Sequence, residues 1–561
     1  MEFLNPNDRP DKIGVITHGS LNKGVEMKLD AGRTIEDIVA GTFVVIQGER
    51  YDFFSMITDV AIDAANESIL LHPPGPEDDL LRRVMQGMGT YAVVSLKPML
   101  MMPNERHQEL SEEPARSVKT IPAHFSVVAR ATDEDVARVF GSEANDPRFF
   151  HVGEPIGMEG IPVCIDLDRL VERSNAVFGK TGTGKTFLTR LLLCGTIKTG
   201  KAVNLIFDMH SEYGLKARQE GKEGDAAFVR GLRDLFPSKV QIFSLDPEGT
   251  RRRTNVSPDQ PVYLYADQID PEDILPLQDT LNLNATAAES SYLVKNKYGR
   301  DWLRRLLEVE GEEIAALANE VGAHEQSIAA LKRKLAAFEG YDFFKTSTTG
   351  KRTDVLDALL EAIDAGKSVV LEFGRYDDLK VYLLVANVIT RRIREAYERK
   401  TSRYLQTGRE ADRPRQLIIT IEEAHKFLTP GIARETPFGK IAREMRKYFV
   451  SLLVVDQRPS AIDEEVLSQI GTKLVAQLND EKDIGAALVG TRDASALRQV
   501  LASLDSKQQA LLLGHAVPMP IVVKTRTYDD AFYDAMRTDA HGTPAPRSFA
   551  EVKQRTDDLF Y

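Results

Sequence analysis

Cysteine is almost absent. The chain has Cys164 and Cys194 and no others, too few for a disulfide framework or a four-ligand zinc cluster, which fits a reducing compartment. No run approaches the roughly 18 apolar residues of a membrane span. The opening stretch MEFLNPNDRPDK carries charges and prolines where a signal peptide has an apolar core. The expectation is a cytoplasmic protein without a membrane segment. An excess of positive charge is missing as well: 72 Lys and Arg stand against 84 Asp and Glu, net −12. The surface as a whole therefore cannot coat nucleic acid, and any such contact must be local. Internal repeats and low-complexity tracts are also lacking. What remains is an ordinary globular composition, 42% hydrophobic and 28% charged, over 561 residues. At roughly 150 residues per domain, that length calls for about three or four structural units.

Short β-rich runs come first: IGVI at 13–16, TFVVI at 42–46, SILL at 68–71 and YAVVSL at 91–96. Their close spacing predicts a small all-β barrel or sandwich. The charged, proline-containing stretch 103–122 reads as a linker. After about residue 175 apolar strands alternate with amphipathic helices: NAVF (175–178), a helix over 184–199, VNLIFD (203–208), SVVLEF (368–373), QLIITI (416–421), SLLVVD (451–456) and KLVAQL (473–478). That alternation predicts a parallel α/β sheet. Between 303 and 338 Leu and Ile recur at helical spacing, through Ile314, Leu317, Val321, Ile328, Leu331, Leu335 and Phe338, so a helical insertion packed on its own domain is expected, with His324 in its core or at its boundary.

One motif dominates. Gly179-Lys180-Thr181-Gly182-Thr183-Gly184-Lys185-Thr186 matches G-x-x-x-x-G-K-[ST], between an apolar strand and a helix as the mechanism requires. Its glycines let backbone N–H groups wrap a phosphate, Lys185 reaches the β- and γ-phosphates, and Thr186 holds Mg²⁺. Such a loop needs a carboxylate at the end of a neighbouring strand, and LIITIEEAH (417–425) supplies two. Glu422 is assigned to Mg²⁺ through its water shell and Glu423 to the attacking water. Gln457, after LLVVD, is a candidate γ-phosphate sensor, and Asp208, after VNLIF, a weaker candidate to face the same crevice.

Local positive charge is found in two places. Residues 391–415 hold nine basic and four acidic side chains, and Arg434, Lys440, Arg443, Arg446 and Lys447 form a second group. Both are candidates to grip nucleic-acid phosphates; a solvated helix face with pairs such as Arg391–Glu395 is the alternative.

Five blocks, RSNAVFGKTGTGKT (173–186), FDMHSEYG (207–214), IEEAHKF (421–427), AREMRKY (442–448) and VDQRPS (455–460), resemble in kind and order the HerA group of HerA/FtsK-type hexameric DNA translocases. The resemblance implies an α/β fold: a RecA-like P-loop ATPase core, a HAS-barrel-like N-terminal β-barrel and an inserted helical bundle. The expected divisions are 1–125 for barrel and linker, 126–268 and 346–525 for the two parts of the core, 269–345 for the insertion and 526–561 for a C-terminal brace. It further implies that Arg446, or Lys447, reaches the neighbouring subunit's nucleotide, with Arg173 a further catalytic arginine. Ser174 stands where the family usually has His, and Phe449 where it commonly has Gly. Similar proteins form homo-hexamers that use ATP and Mg²⁺ to pump double-stranded DNA beside a NurA-like nuclease, or pair with a SIR2-like NADase or other effector in anti-phage defence. A ring that only scaffolds and activates such an effector is the competing function. No nuclease or NADase motif is visible in this chain, so cutting falls to a partner.

Overall fold

The computed structural model describes residues 11–30, 33–64, 90–104, 115–218, 228–346, 354–434, 436–491, 494–505 and 508–537. The chain divides into two compact units, Met1–Ile165 with Val517–Arg526, and Asp166–Ala516 with Thr527–Tyr561.

In the first unit six strands close into a barrel: Gly24–Leu29, Lys12–Ser20, Val127–Arg130, Phe43–Ile46, Tyr51–Ala64 and Thr90–Pro103, the last pairing back onto the first, every pairing antiparallel. Closure removes much of the free edge that another chain could pair with. The interior follows from alternation: Val25, Met27 and Leu29 are buried while Glu26 and Lys28 between them are exposed. Ile13, Ile16, Val44, Ile46, Phe53 and Val94 fill the same core. The run at 68–71 lies outside the described residues. Val127–Arg130 is past the expected division at residue 125, and the described part of the expected linker adds a two-residue strand, Arg116–Ser117, beside Thr90–Pro103.

The second unit is built on a sheet in the order Gln260–Pro261, Val240–Ser244, Ser368–Glu372, Val203–Asp208, Leu417–Glu422, Val450–Asp456, Asn175–Phe178, Thr472–Val475 and Gln509–Gly514, all parallel except the last. Every residue of the four strands from Val203–Asp208 to Asn175–Phe178 is buried, which explains why they read as unbroken apolar runs. Because these strands are parallel, Phe178, Asp208, Glu422 and Asp456 all end on one edge of the sheet.

The inserted helices include Ala285–Tyr298, Trp302–Glu308, Glu313–Val321 and Glu325–Leu335. Trp302, the chain's single tryptophan, is fully buried and donates its indole N–H to the Ile269 carbonyl at 2.8 Å. Ile328, Leu331, Leu335 and Phe338 are buried as their spacing predicts. The stripe does not run through as one helix, because Gly322 at φ 72° ends the first segment in a left-handed cap. That break moves His324 to the exposed start of the next helix, not to the core or its boundary. Among the described residues no helix is long and apolar enough to cross a membrane.

Lys473 is 2% exposed on an inner strand, its ammonium donating to the Val489 carbonyl at 2.6 Å. Burial alone pulls its pKa down to about 8. Below that pH the lysine is charged in both folded and unfolded chains, and confining the charge costs the fold about 3 kcal/mol. Lys473→Met removes this cost and gives up one hydrogen bond of about 1 kcal/mol, so a net gain of about 2 kcal/mol is expected at pH 7. Between pH 8 and the unfolded pKa of about 10.4 the unfolded chain binds more protons, so unaltered stability rises with pH and the advantage of the variant fades. Denaturant unfolding at pH 7 and pH 10 checks both statements.

Candidate functional site

The loop after Asn175–Phe178 turns on glycine. Gly182 (φ 80°) and Gly184 (φ 94°) are left-handed, and a Cβ on Gly179 would lie 2.7 Å from Thr183 Oγ1 and 2.9 Å from the Ala476 side chain. The helix Lys185–Thr199 then starts at Gly184 with no side-chain cap. Its first-turn N–H groups, with the positive end of the helix dipole, are suited to an anion. Lys185 folds back so that Nζ donates to the Lys180 carbonyl at 3.1 Å. Partial burial holds its pKa below the ordinary lysine value, against the pull of Glu423, Asp456, Glu422 and Glu212.

The structure brings Glu422, Glu423 and Gln457 to this loop. Gln457 joins both sides: its Oε1 accepts from Thr181 Oγ1 at 2.7 Å and its Nε2 donates to Glu423 Oε2 at 3.3 Å. The two glutamates differ sharply. Glu422 ends its strand 8% exposed, accepts from the Tyr213 hydroxyl at 2.8 Å, and has a second carboxylate oxygen with no protein partner. Burial, with the charges of Asp208, Glu212 and Glu423, pushes its pKa up to about 8. Glu423 sits at φ 48°, so the chain turns left-handed there, and its side chain keeps a quarter of its surface exposed.

Two further residues of the site lie in FDMHSEYG, which the sequence marks only as a block of resemblance. Thr186 donates to Glu212 Oε2 at 2.8 Å, and the fully buried Tyr213 holds Glu422. A glutamate four positions beyond a strand-end aspartate was the available signal. Asp208 itself does not face the crevice: it is fully buried and accepts from the N–H groups of Glu212, Tyr213 and Gly214, so it shapes the turn that presents Glu212. Burial and the nearby Glu372 push its pKa to about 7.

The arginines are elsewhere. Arg173 precedes the N-terminal end of Asn175–Phe178 and packs on Gly471, with its Nε buried and unpartnered. Arg446 and Lys447 lie on the turn Met445–Tyr448, which enters Val450–Asp456 at the same N-terminal edge. The seven residues of Val450–Asp456 separate Arg446 and Lys447 from Gln457, and Arg173 stands six positions before Gly179, spans of about 20 Å that exceed an arginine's reach, so none of the three approaches the loop of its own chain. Arg446 is 62% exposed, its nearest carboxylate Glu172 at 3.9 Å. Phe449 takes the left-handed conformation (φ 63°) that a glycine would adopt without strain, its ring stacked edge-on to Tyr404 at 6.1 Å with Arg413 over it.

The sequence region 150–393 matches the family model described as Helicase HerA, central domain. The chain is 23% identical over 430 residues to the DNA double-strand break repair helicase HerA of Pyrococcus furiosus, covering 72% of this chain and 73% of that one. It is 25% identical to the protein of the same name from Sulfolobus acidocaldarius, covering 73% and 74%. Over most of its length the chain is similar to HerA-type proteins. Among solved structures, VirB4 of Thermoanaerobacter pseudethanolicus is similar over 68% of this chain and 98% of that one, at 15% identity and a TM-score of 0.42.

The chain is a P-loop ATPase, and the matched region contains the loop, Glu212 and the inserted helices. The basic stretch 391–415 is mostly tied down. Arg391, far from gripping phosphate, is buried against Asp273 at 2.9 Å, Asp270 at 3.0 Å and Glu395 at 3.0 Å. Arg403 pairs with Asp412 at 3.2 Å, Arg413 with Glu410 at 2.8 Å, and Lys400 with Asp364 at 2.5 Å.

Proposed function

We propose that this chain is an ATP-driven motor that moves along or unwinds double-stranded DNA as a homo-hexamer, working with a nuclease or other effector in DNA end processing or defence. The observation that carries the reading is the split of the machinery: loop, glutamates and Gln457 on one edge of the sheet, and the exposed Arg446 on the other. A charge-neutralising arginine from a second copy would complete the site, as a ring of identical subunits provides. The relatives named as repair helicases support DNA as the substrate.

ATP would occupy Gly179–Thr186, with Lys185 on the β- and γ-phosphates. The residues present suit Mg²⁺: a hydroxyl (Thr186) and carboxylate oxygens (Glu212, Glu422) are hard ligands, and the unpartnered, buried Glu422 oxygen is a ready acceptor. When bound, the ion neutralises charge on the phosphates. Glu423 would then accept a proton from the attacking water, and Gln457 would report the γ-phosphate to Glu423 and Thr181.

The ion pairs that occupy Arg391, Arg403 and Arg413 favour a second reading, an ATP-gated scaffold that activates an effector without moving on DNA. ATP turnover with and without linear duplex DNA separates the two. Strong stimulation by duplex is expected, with a salt dependence set by the phosphates contacted. Turnover indifferent to DNA and raised only by a partner protein would establish the scaffold.

A further inference from the structure

A single buried carboxylate ties together the two turns that carry Glu423 and Gln457. Asp456 ends its strand 1% exposed. Its Oδ2 accepts from the backbone N–H of His425 at 2.6 Å, which fixes the turn after Glu423. Its Oδ1 accepts from the backbone N–H of Arg458 at 2.7 Å, which fixes the turn after Gln457. The His425 imidazole completes the clasp, with Nδ1 3.0 Å from Asp456 Oδ2 and 3.7 Å from Glu423 Oε2. The ring thus lies between two carboxylates, and Asp456, with Glu423 beside it, holds the imidazole's pKa above its ordinary value. Glu423 needs such support. Its left-handed backbone (φ 48°) costs on the order of 1–3 kcal/mol and persists only where surrounding bonds impose it.

We propose that His425 is a positioning residue for hydrolysis: through the Nδ1 bond to Asp456 it holds the Glu423 carboxylate at the end of the chain Thr181–Gln457–Glu423. The inference rests on the reading of Glu423 as the group that handles water. Three observations converge on it. Glu423, His425 and Asp456 are successive contacts. Gln457 and Asp456 are adjacent, so any movement of that strand end moves both Gln457, which bonds Glu423, and Asp456, which bonds His425. And the imidazole stands between the carboxylates of Glu423 and Asp456, on which Lys185 also acts from the loop.

The test compares three variants of the full-length protein with Glu423→Gln. A displacement of about 1 Å at a reacting group can cost about 100-fold in rate, so His425→Ala is expected to lower kcat about 10- to 100-fold while leaving the affinity for a fluorescent ATP analogue unchanged. The amide nitrogen of asparagine sits where Nδ1 sits, that of glutamine does not. His425→Asn should therefore restore most of the rate and His425→Gln should not. If His425→Ala does not fold, the Asn and Gln pair still decides. Full kcat in His425→Ala, equal impairment in Asn and Gln, or loss of nucleotide affinity in step with kcat would overturn the proposal. Glu423→Gln separates the two levels: normal hydrolysis in that variant removes the underlying reading, whereas slow hydrolysis beside a normal His425→Ala removes only the role of His425.

Discussion

Glu423→Gln is expected to bind ATP as the unaltered chain does and to hydrolyse it about 10²–10⁴-fold more slowly, the range lost with a positioned general base. The amide keeps the shape and the contact with Gln457 Nε2 through its carbonyl oxygen, yet cannot take a proton from water. The structure separates the paired glutamates physically. Glu422 is buried, Tyr213 already donates to one of its oxygens and the other is the acceptor assigned to the magnesium side, so it is poorly placed to take a proton from water. Glu423 is partly exposed and next to Gln457. Glu422→Gln should instead weaken the magnesium dependence of nucleotide binding. Single-turnover hydrolysis and nucleotide titrations with and without magnesium check both variants. Exchanged phenotypes would reverse the assignment.

Arg446→Ala is expected to leave ATP binding intact and to lower hydrolysis by up to about 10³–10⁵-fold, the contribution of an arginine delivered to the transition state from a neighbouring subunit in the proposed ring. Lys185→Ala is expected to be inactive for a different reason, since without the ammonium the β- and γ-phosphate charge is not neutralised. The two defects lie on opposite edges of the sheet. In a mixed assembly an interface that joins an intact loop from one variant to an intact Arg446 from the other is complete, so mixing the two inactive proteins should restore part of the ATPase. Subunit exchange is followed independently by fluorescence. Exchange without recovery would confine the effect of Arg446 to its own chain, where its nearest partner is Glu172 at 3.9 Å. The same experiment with Lys447→Ala tells which of the two adjacent cations acts.

The parts of this protein that could be read directly are those in which neighbours in sequence are also partners in function. Gly179–Thr186 specifies its own loop because the left-handed glycines, the lysine and the helix start all lie within eight residues. The buried parallel strands announce themselves as apolar runs because both faces are covered. Single-faced elements were harder: Gly24–Leu29 alternates buried and exposed positions and shows no apolar run, and Gly322 divides a helical stripe whose spacing is otherwise regular. What only the tertiary structure decided concerns groups far apart in the chain. Tyr213 meets Glu422, Thr181 meets Gln457, and Asp456 clasps His425, pairings made by strand order, which hydrophobic periodicity does not encode. The same order put Arg173 and Arg446 on the edge away from the loop and buried Arg391 among carboxylates, because a charge count along the chain says nothing about which cations folding has already neutralised.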